Sequence, residues 1–142
     1  MIGGSGERKT LRTVAKYADM WNAMGTVDVM RHKVEVLQRH CDDVGRDFAT
    51  IEMTLGCKPI IRDTADEARR VLEAQMAHNR TPMSEIADDD TFWSGTAEQI
   101  AGQMRQYTAL GFHTFIAELP APYDDETLER WIGEVRPMLD AG

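Results

Sequence analysis

Met1-Ile-Gly-Gly-Ser-Gly-Glu-Arg-Lys-Thr-Leu-Arg12 opens the chain, and its reading decides the fold. Met1 and Ile2 read as the end of a strand. Gly3, Gly4, Ser5 and Gly6 make a glycine-rich turn. From Glu7 to about Ala18, Leu11, Val14, Ala15 and Ala18 recur at helical spacing. Strand end, turn and helix start follow one another without a gap, as at a βα junction. Glycines let a backbone approach a ligand closely, and a helix start offers unpaired N–H groups under a positive dipole. Ser5 and Thr10 add hydroxyls. Between Glu7 and Lys16 one carboxylate stands against Arg8, Lys9, Arg12 and Lys16. Four cations less one anion make this segment locally positive, in a chain of formal net charge -8. Two readings fit: a cradle for an anion such as phosphate, or an ordinary tight βα turn followed by solvated cations.

Outward from the turn, short apolar runs alternate with helical patterns. Met20-Trp-Asn-Ala-Met24, closed by Gly25, suits a buried strand. Thr26 caps a helix whose apolar face is Met30, Val34, Leu37, Cys41 and Val44, and Gly45 stops it. Ile51 to Ile61 reads as a strand softened in the middle by Gly56 and Pro59. Thr64-Ala-Asp-Glu67 is a capping box opening a helix that buries Ala68, Val71, Leu72 and Gln75 or Met76. His78 to Asp90, with Pro82 and three successive aspartates, reads as a loop. A second capping box, Thr96-Ala-Glu-Gln99, starts a helix with Ile100, Met104, Tyr107 and Leu110 on one face, ended by Gly111. Thr114 to Leu119 is a strand, broken by Pro120 and Pro122. Asp124 or Asp125 caps a last helix with Leu128, Trp131, Ile132, Val135 and Leu139 inward. Regular alternation implies βαβ crossovers and a parallel sheet, here three full strands and a stub.

With 142 residues the chain fits one ordinary domain, and 42% hydrophobic against 28% charged residues gives a packed core. The acidic balance repels phosphate backbones, which argues against nucleic acid and anionic membranes as partners. No apolar run approaches the roughly 20 residues of a membrane span. The N-terminus lacks the basic start and apolar core of a signal peptide, so the expected location is cytoplasmic. Cys41 and Cys57 are expected as free thiols.

Trp21 and Asn22 lie near the end of their strand. A buried Trp needs an acceptor for its N–H, and a buried Asn is costly unpaired. Either both line a ligand pocket, or they are a core Trp and a strand-end Asn. Glu118 either faces the sheet's carboxyl end or points at a neighbouring helix. Cys41 falls on an apolar face; Cys57, beside Gly56, is a candidate for exposure, though nothing marks it as a nucleophile. His32 and His40, eight apart, stand about 80° apart around a helix and make no metal pair. Asp88 to Asp90 lacks the ligand spacing of a calcium loop. No metal site and no catalytic acid or base emerges.

Three segments carry a family resemblance. Ile2-Gly-Gly-Ser-Gly-Glu-Arg-Lys-Thr-Leu-Arg12, followed by Val14-Ala-Lys-Tyr-Ala-Asp-Met-Trp-Asn22, resembles a signature segment of the luciferase-like monooxygenases, above all of their deazaflavin-dependent relatives. Phe92-Trp-Ser-Gly-Thr-Ala-Glu-Gln-Ile100 with Gly111-Phe-His-Thr-Phe-Ile-Ala-Glu-Leu119 resembles the family's closing helix and last barrel strand. Arg39-His-Cys-Asp-Asp-Val-Gly-Arg-Asp47 is similar as well. The resemblance implies an α/β fold, the C-terminal half of a (β/α)8 TIM barrel from about the end of strand 5 to helix 8. Residues 1–142 would then be a single partial domain. It implies that Gly3, Gly4, Ser5 and Gly6 contact a cofactor phosphate, with Arg8 as charge partner; the pocket that Trp21 and Asn22 would line, if they are not core residues, is then the cofactor's. The implied cofactor is coenzyme F420, with FMN as the alternative.

A barrel of this kind takes about 250 residues. The expectation is therefore a truncated barrel, whose open sheet edges invite a second copy or a complementary half. The expected function is that of a flavin- or deazaflavin-dependent oxidoreductase acting on a small molecule, by hydride transfer or monooxygenation once completed. The alternative is a non-catalytic anion- or nucleotide-binding half-barrel, or an inactive remnant.

Overall fold

A computed structural model describes residues 1–140. Strands and helices alternate along it: β1 (Ile2–Gly3), α1 (Thr10–Tyr17), β2 (Met20–Ala23), α2 (Val27–Val44), β3 (Glu52–Ile61), α3 (Ala65–His78), β4 (Phe92–Gly95), α4 (Ala97–Thr108) and β5 (Phe112–Ala117). After β5 come α5 (Asp125–Arg130) and α6 (Arg136–Asp140), joined by a π-helical turn over Trp131–Val135. The chain forms two compact units. One holds Met1–Gly56 with Gln106–Ile116, the other Cys57–Arg105 with the residues from Ala117 onward.

In the first unit β1 runs parallel to β2, with Ile2 opposite Trp21 and Gly3 opposite Asn22. β2 in turn runs parallel to the first half of β3, from Met20 opposite Glu52 to Ala23 opposite Leu55. β5 pairs with β3. The core is aromatic at its centre: the Trp21 and Phe112 rings lie 5.7 Å apart, and Tyr107 meets Phe112 edge-on at 6.4 Å. Leu11, Val14 and Ala15 of α1 and Met30, Val34, Leu37 and Cys41 of α2 are buried. The Thr26 hydroxyl accepts the Val29 N–H at the start of α2, and Gly45 closes it at φ +69°. Arg46 reaches back to the Val14 and Ala15 carbonyls near the end of α1, where a cation offsets the negative end of the dipole.

In the second unit the latter half of β3 runs parallel to β4, Lys58 opposite Phe92 through Ile61 opposite Gly95. Ile60 packs with Ala68, Leu72 and Met76 of α3, and Val71, Met83, Ile86 and Phe92 close the cluster. Pro59 is tolerated inside this strand for a directional reason. The bonds to β4 come from the Lys58 and Arg62 N–H groups, to Thr91 and Gly95. Cys57 and Ile61 face the other way: the Cys57 carbonyl accepts from Glu118 N–H, and Ile61 N–H donates to the Thr127 hydroxyl. The amide that Pro59 lacks is therefore not one that β4 needs. The Thr96–Gln99 box closes in both directions, Gln99 N–H to Thr96 Oγ1 at 3.3 Å and Thr96 N–H to Gln99 Oε1 at 2.9 Å.

Several expectations change. α1 starts at Thr10, because residues 7–9 form a turn. β3 is continuous across Gly56, where a Cβ would stand 2.6 Å from Met24 Cε. Phe92–Gly95, given no element between the expected loop and the Thr96 capping box, is a strand, which raises the count to four full strands and a stub. Four residues are too few to show a period, and only pairing with Lys58–Ile61 makes them a strand. β5 begins two residues earlier than expected, at Phe112. Leu128 and Ile132 are 42% and 56% exposed, while Val135 is buried as expected and Thr127 is buried as well. The π turn adds a residue per turn and shifts the inward face. Cys57 is fully buried. No helix among the described residues is long and apolar enough to cross a membrane.

Candidate functional site

The turn after β1 keeps its polar groups sorted. Gly4 stands at φ +117°, a region that residues with a Cβ rarely enter, and its N–H donates to the Asn22 carbonyl at 3.1 Å. Thr10 lies under the turn, so a Cβ on Gly6 would stand 2.9 Å from its Oγ1. Gly3, Gly4, Ser5, Gly6 and Arg8 are all exposed. Lys9, at the N-cap of α1, makes no side-chain cap, and the first turn of that helix holds no acid. Among the described residues the N–H groups of Ser5, Gly6, Glu7 and Arg8 donate to no protein acceptor. Such a turn is equipped to receive an anion.

Trp21 is fully buried, and its indole N–H finds its acceptor in the turn itself, donating to the Gly4 carbonyl at 2.9 Å. Its ring belongs to the core beside Phe112, so it bears on the turn from behind. Asn22 is half-buried. Its Oδ1 accepts from the buried Thr54 hydroxyl at 2.9 Å, which turns its amide NH2 the other way.

Glu7 is drawn off the turn by α2. Lys33 Nζ reaches Glu7 Oε1 at 2.6 Å, His32 Nε2 lies 3.2 Å from the same oxygen, and His40 Nε2 lies 2.8 Å from the Glu7 carbonyl. The hydrogen bond from Lys33 holds the Glu7 carboxyl below the ordinary carboxylate value. The one acidic charge of the segment is thus matched by α2, and Arg8, Lys9, Arg12 and Lys16 stay exposed.

The other candidates are not gathered here. The Cys57 thiol is pushed up to about 12 by burial, with the Glu118 charge adding to it, which makes it inert. Glu118 is exposed, and its backbone N–H is taken by the Cys57 carbonyl. Burial alone would raise Asp89, but bonds from Thr91 and the Lys58 charge outweigh it and keep its carboxyl low. Asp89 therefore anchors the residues before β4. Among the described residues no three His, Cys, Asp or Glu side chains assemble as a metal site.

Sequence reasoning missed Thr54, Lys33 and His40. A usable signal existed for the last two: seven residues apart, they stand within about 20° of one another on a helix. What lay hidden was the partner, since Glu7 is 33 residues from His40.

The model of the luciferase-like monooxygenases matches residues 1–114. The chain belongs to this family. A comparison with the curated proteins gives no match. Solved structures share its fold at low identity. The coenzyme F420 dependent tetrahydromethanopterin reductase from Methanopyrus kandleri is 14% identical at TM-score 0.73, over 96% of this chain and 50% of that one. The EDTA monooxygenase from Chelativorans sp. BNC1 is 16% identical at 0.73, over 99% and 44%. The oxygenating constituent of 3,6-diketocamphane monooxygenase from Pseudomonas putida, solved with FMN, is 15% identical at 0.70, over 96% and 48%. This luciferase-like chain thus spans half or less of the length of these barrel enzymes, and its parallel strands and helices are those of a half barrel.

Proposed function

We propose that this chain supplies the cofactor-phosphate loop of a flavin-type oxidoreductase. The observation that carries the reading is the turn at residues 3–8, where four amides lack a protein acceptor among the described residues, at the start of a helix without a side-chain cap. Gly3, Gly4, Ser5 and Gly6 would hold the phosphate, Arg8 would add charge, and the free Asn22 amide would face the same strand end. Trp21 would support the loop. The cofactor proposed is coenzyme F420, with FMN as the alternative; the first supplies hydride transfer, the second also oxygen activation. Catalysis on a small molecule would require further βα units, from a complementary half or from a longer form of the protein, in a cytoplasmic setting. The two-residue β1, at the edge of its sheet, is where such a unit would pair.

Titration of the purified protein with F420 and with FMN, followed by cofactor fluorescence, tests this. Saturable binding that inorganic phosphate competes away is the expected result. No binding of either cofactor well above micromolar concentration would overturn the reading in favour of an inactive remnant.

A further inference from the structure

We infer that Trp21 and His40 are positioning residues for the turn's amides, acting by holding carbonyls rather than by touching a ligand. The inference rests on the reading of the turn as a phosphate loop. In a trans peptide unit the C=O of one residue and the N–H of the next point in opposite directions. The single cis bond among the described residues is Ala121–Pro122, so the units joining Gly4 to Ser5 and Glu7 to Arg8 are trans. Trp21 Nε1 holds the Gly4 carbonyl against the core at 2.9 Å, which turns the Ser5 N–H away from the core. His40 Nε2 holds the Glu7 carbonyl toward α2 at 2.8 Å, which turns the Arg8 N–H away from α2. Between them, the Gly6 carbonyl is held by the Leu11 N–H at 3.0 Å.

Each held carbonyl does two things. It fixes a peptide plane, and it keeps a partial negative charge away from where an anion would sit. Lys33 does the same for the full charge of Glu7. Two of these holds come from elements remote in sequence, β2 and α2. Both act within one compact unit.

The experiment compares FMN against riboflavin, which differ only in the phosphate, and F420 against its deazaflavin core, which lacks the phosphate together with the side chain beyond it. Dissociation constants are measured for the full wild-type chain, Trp21→Phe, His40→Leu and His40→Gln. Trp21→Phe removes the indole N–H while keeping an aromatic ring. His40→Gln offers an amide donor where Leu offers none. The expected result is a wild-type preference for the phosphate-bearing form that falls about tenfold in Trp21→Phe and His40→Leu. Affinity for the phosphate-free form stays level, and His40→Gln recovers most of the preference. A preference retained in both Trp21→Phe and His40→Leu overturns the positioning role and leaves the loop reading standing. Equal losses for both forms of the ligand also overturn it, because they mark general damage to packing. A wild type without any preference overturns the loop reading, and this inference with it.

Discussion

Gly4 combines a positive φ of +117° with an N–H bonded to Asn22 and a carbonyl bonded to Trp21. A side chain there strains a backbone that is held on both sides and cannot relax. Gly4→Ala should destabilise the protein by about 1–2 kcal/mol, read from urea unfolding. It should weaken FMN or F420 binding by more than that stability loss explains; unchanged binding would show that the turn's shape does not matter to the ligand. The cysteines give a second prediction. Both are buried, both thiols are raised by burial, and Cys57 stands at about 12. A thiol reagent at pH 8 should modify neither in the native protein and both in urea. Fast native reaction of Cys57 would mean that β3 opens readily.

At the scale of elements, the end of β3 and the start of α5 are tied by a buried polar network. Arg62 meets Asp124 at 2.9 Å, and the Thr127 hydroxyl accepts from Ile61 N–H and Arg62 and donates to Asp124. Desolvation pushes the Asp124 carboxyl up, but the bonds from Arg62 and Thr127 outweigh it and keep it below its ordinary value of 3.8. A carboxyl lowered by folding contributes stability that is fully present above its unfolded value and lost as pH falls through the folded one. The urea midpoint should therefore decline from about pH 4 downward. Asp124→Asn should lower the midpoint at pH 7 and flatten the acid decline; an equally steep decline in the variant would shift the cause to other carboxylates. Only part of this was legible. Asp124 announced itself as a helix cap, and it does accept the Thr127 N–H. Its second role depends on Arg62, which 62 residues of chain separate from it.

At the scale of the molecule, the exposed apolar side chains include Tyr17 in the first unit and Tyr123, Leu128 and Ile132 in the second. The solved structures compared above are about twice this length, and on the proposed reading such surface and the short β1 edge are where further structure would pack. Light scattering after gel filtration should find self-association or, in extracts, a complex with a complementary half. A monodisperse monomer at all concentrations would contradict this.

Apart from β4, the order of strands and helices, their caps and the glycine turn were determined by the sequence, because these depend on neighbours within a few residues. Thr26, Thr64, Thr96 and Asp124 each cap the helix that their position announced. β4, the inward face of the last helix and the burial of Cys57 were decided by tertiary structure. A four-residue strand exists only through its partner, and a π turn redirects a face that regular spacing would place elsewhere. The turn at residues 3–8 belongs to both. Its glycines were plain in the sequence; the directions of its amides depend on Trp21 and His40, which only folding brings to it.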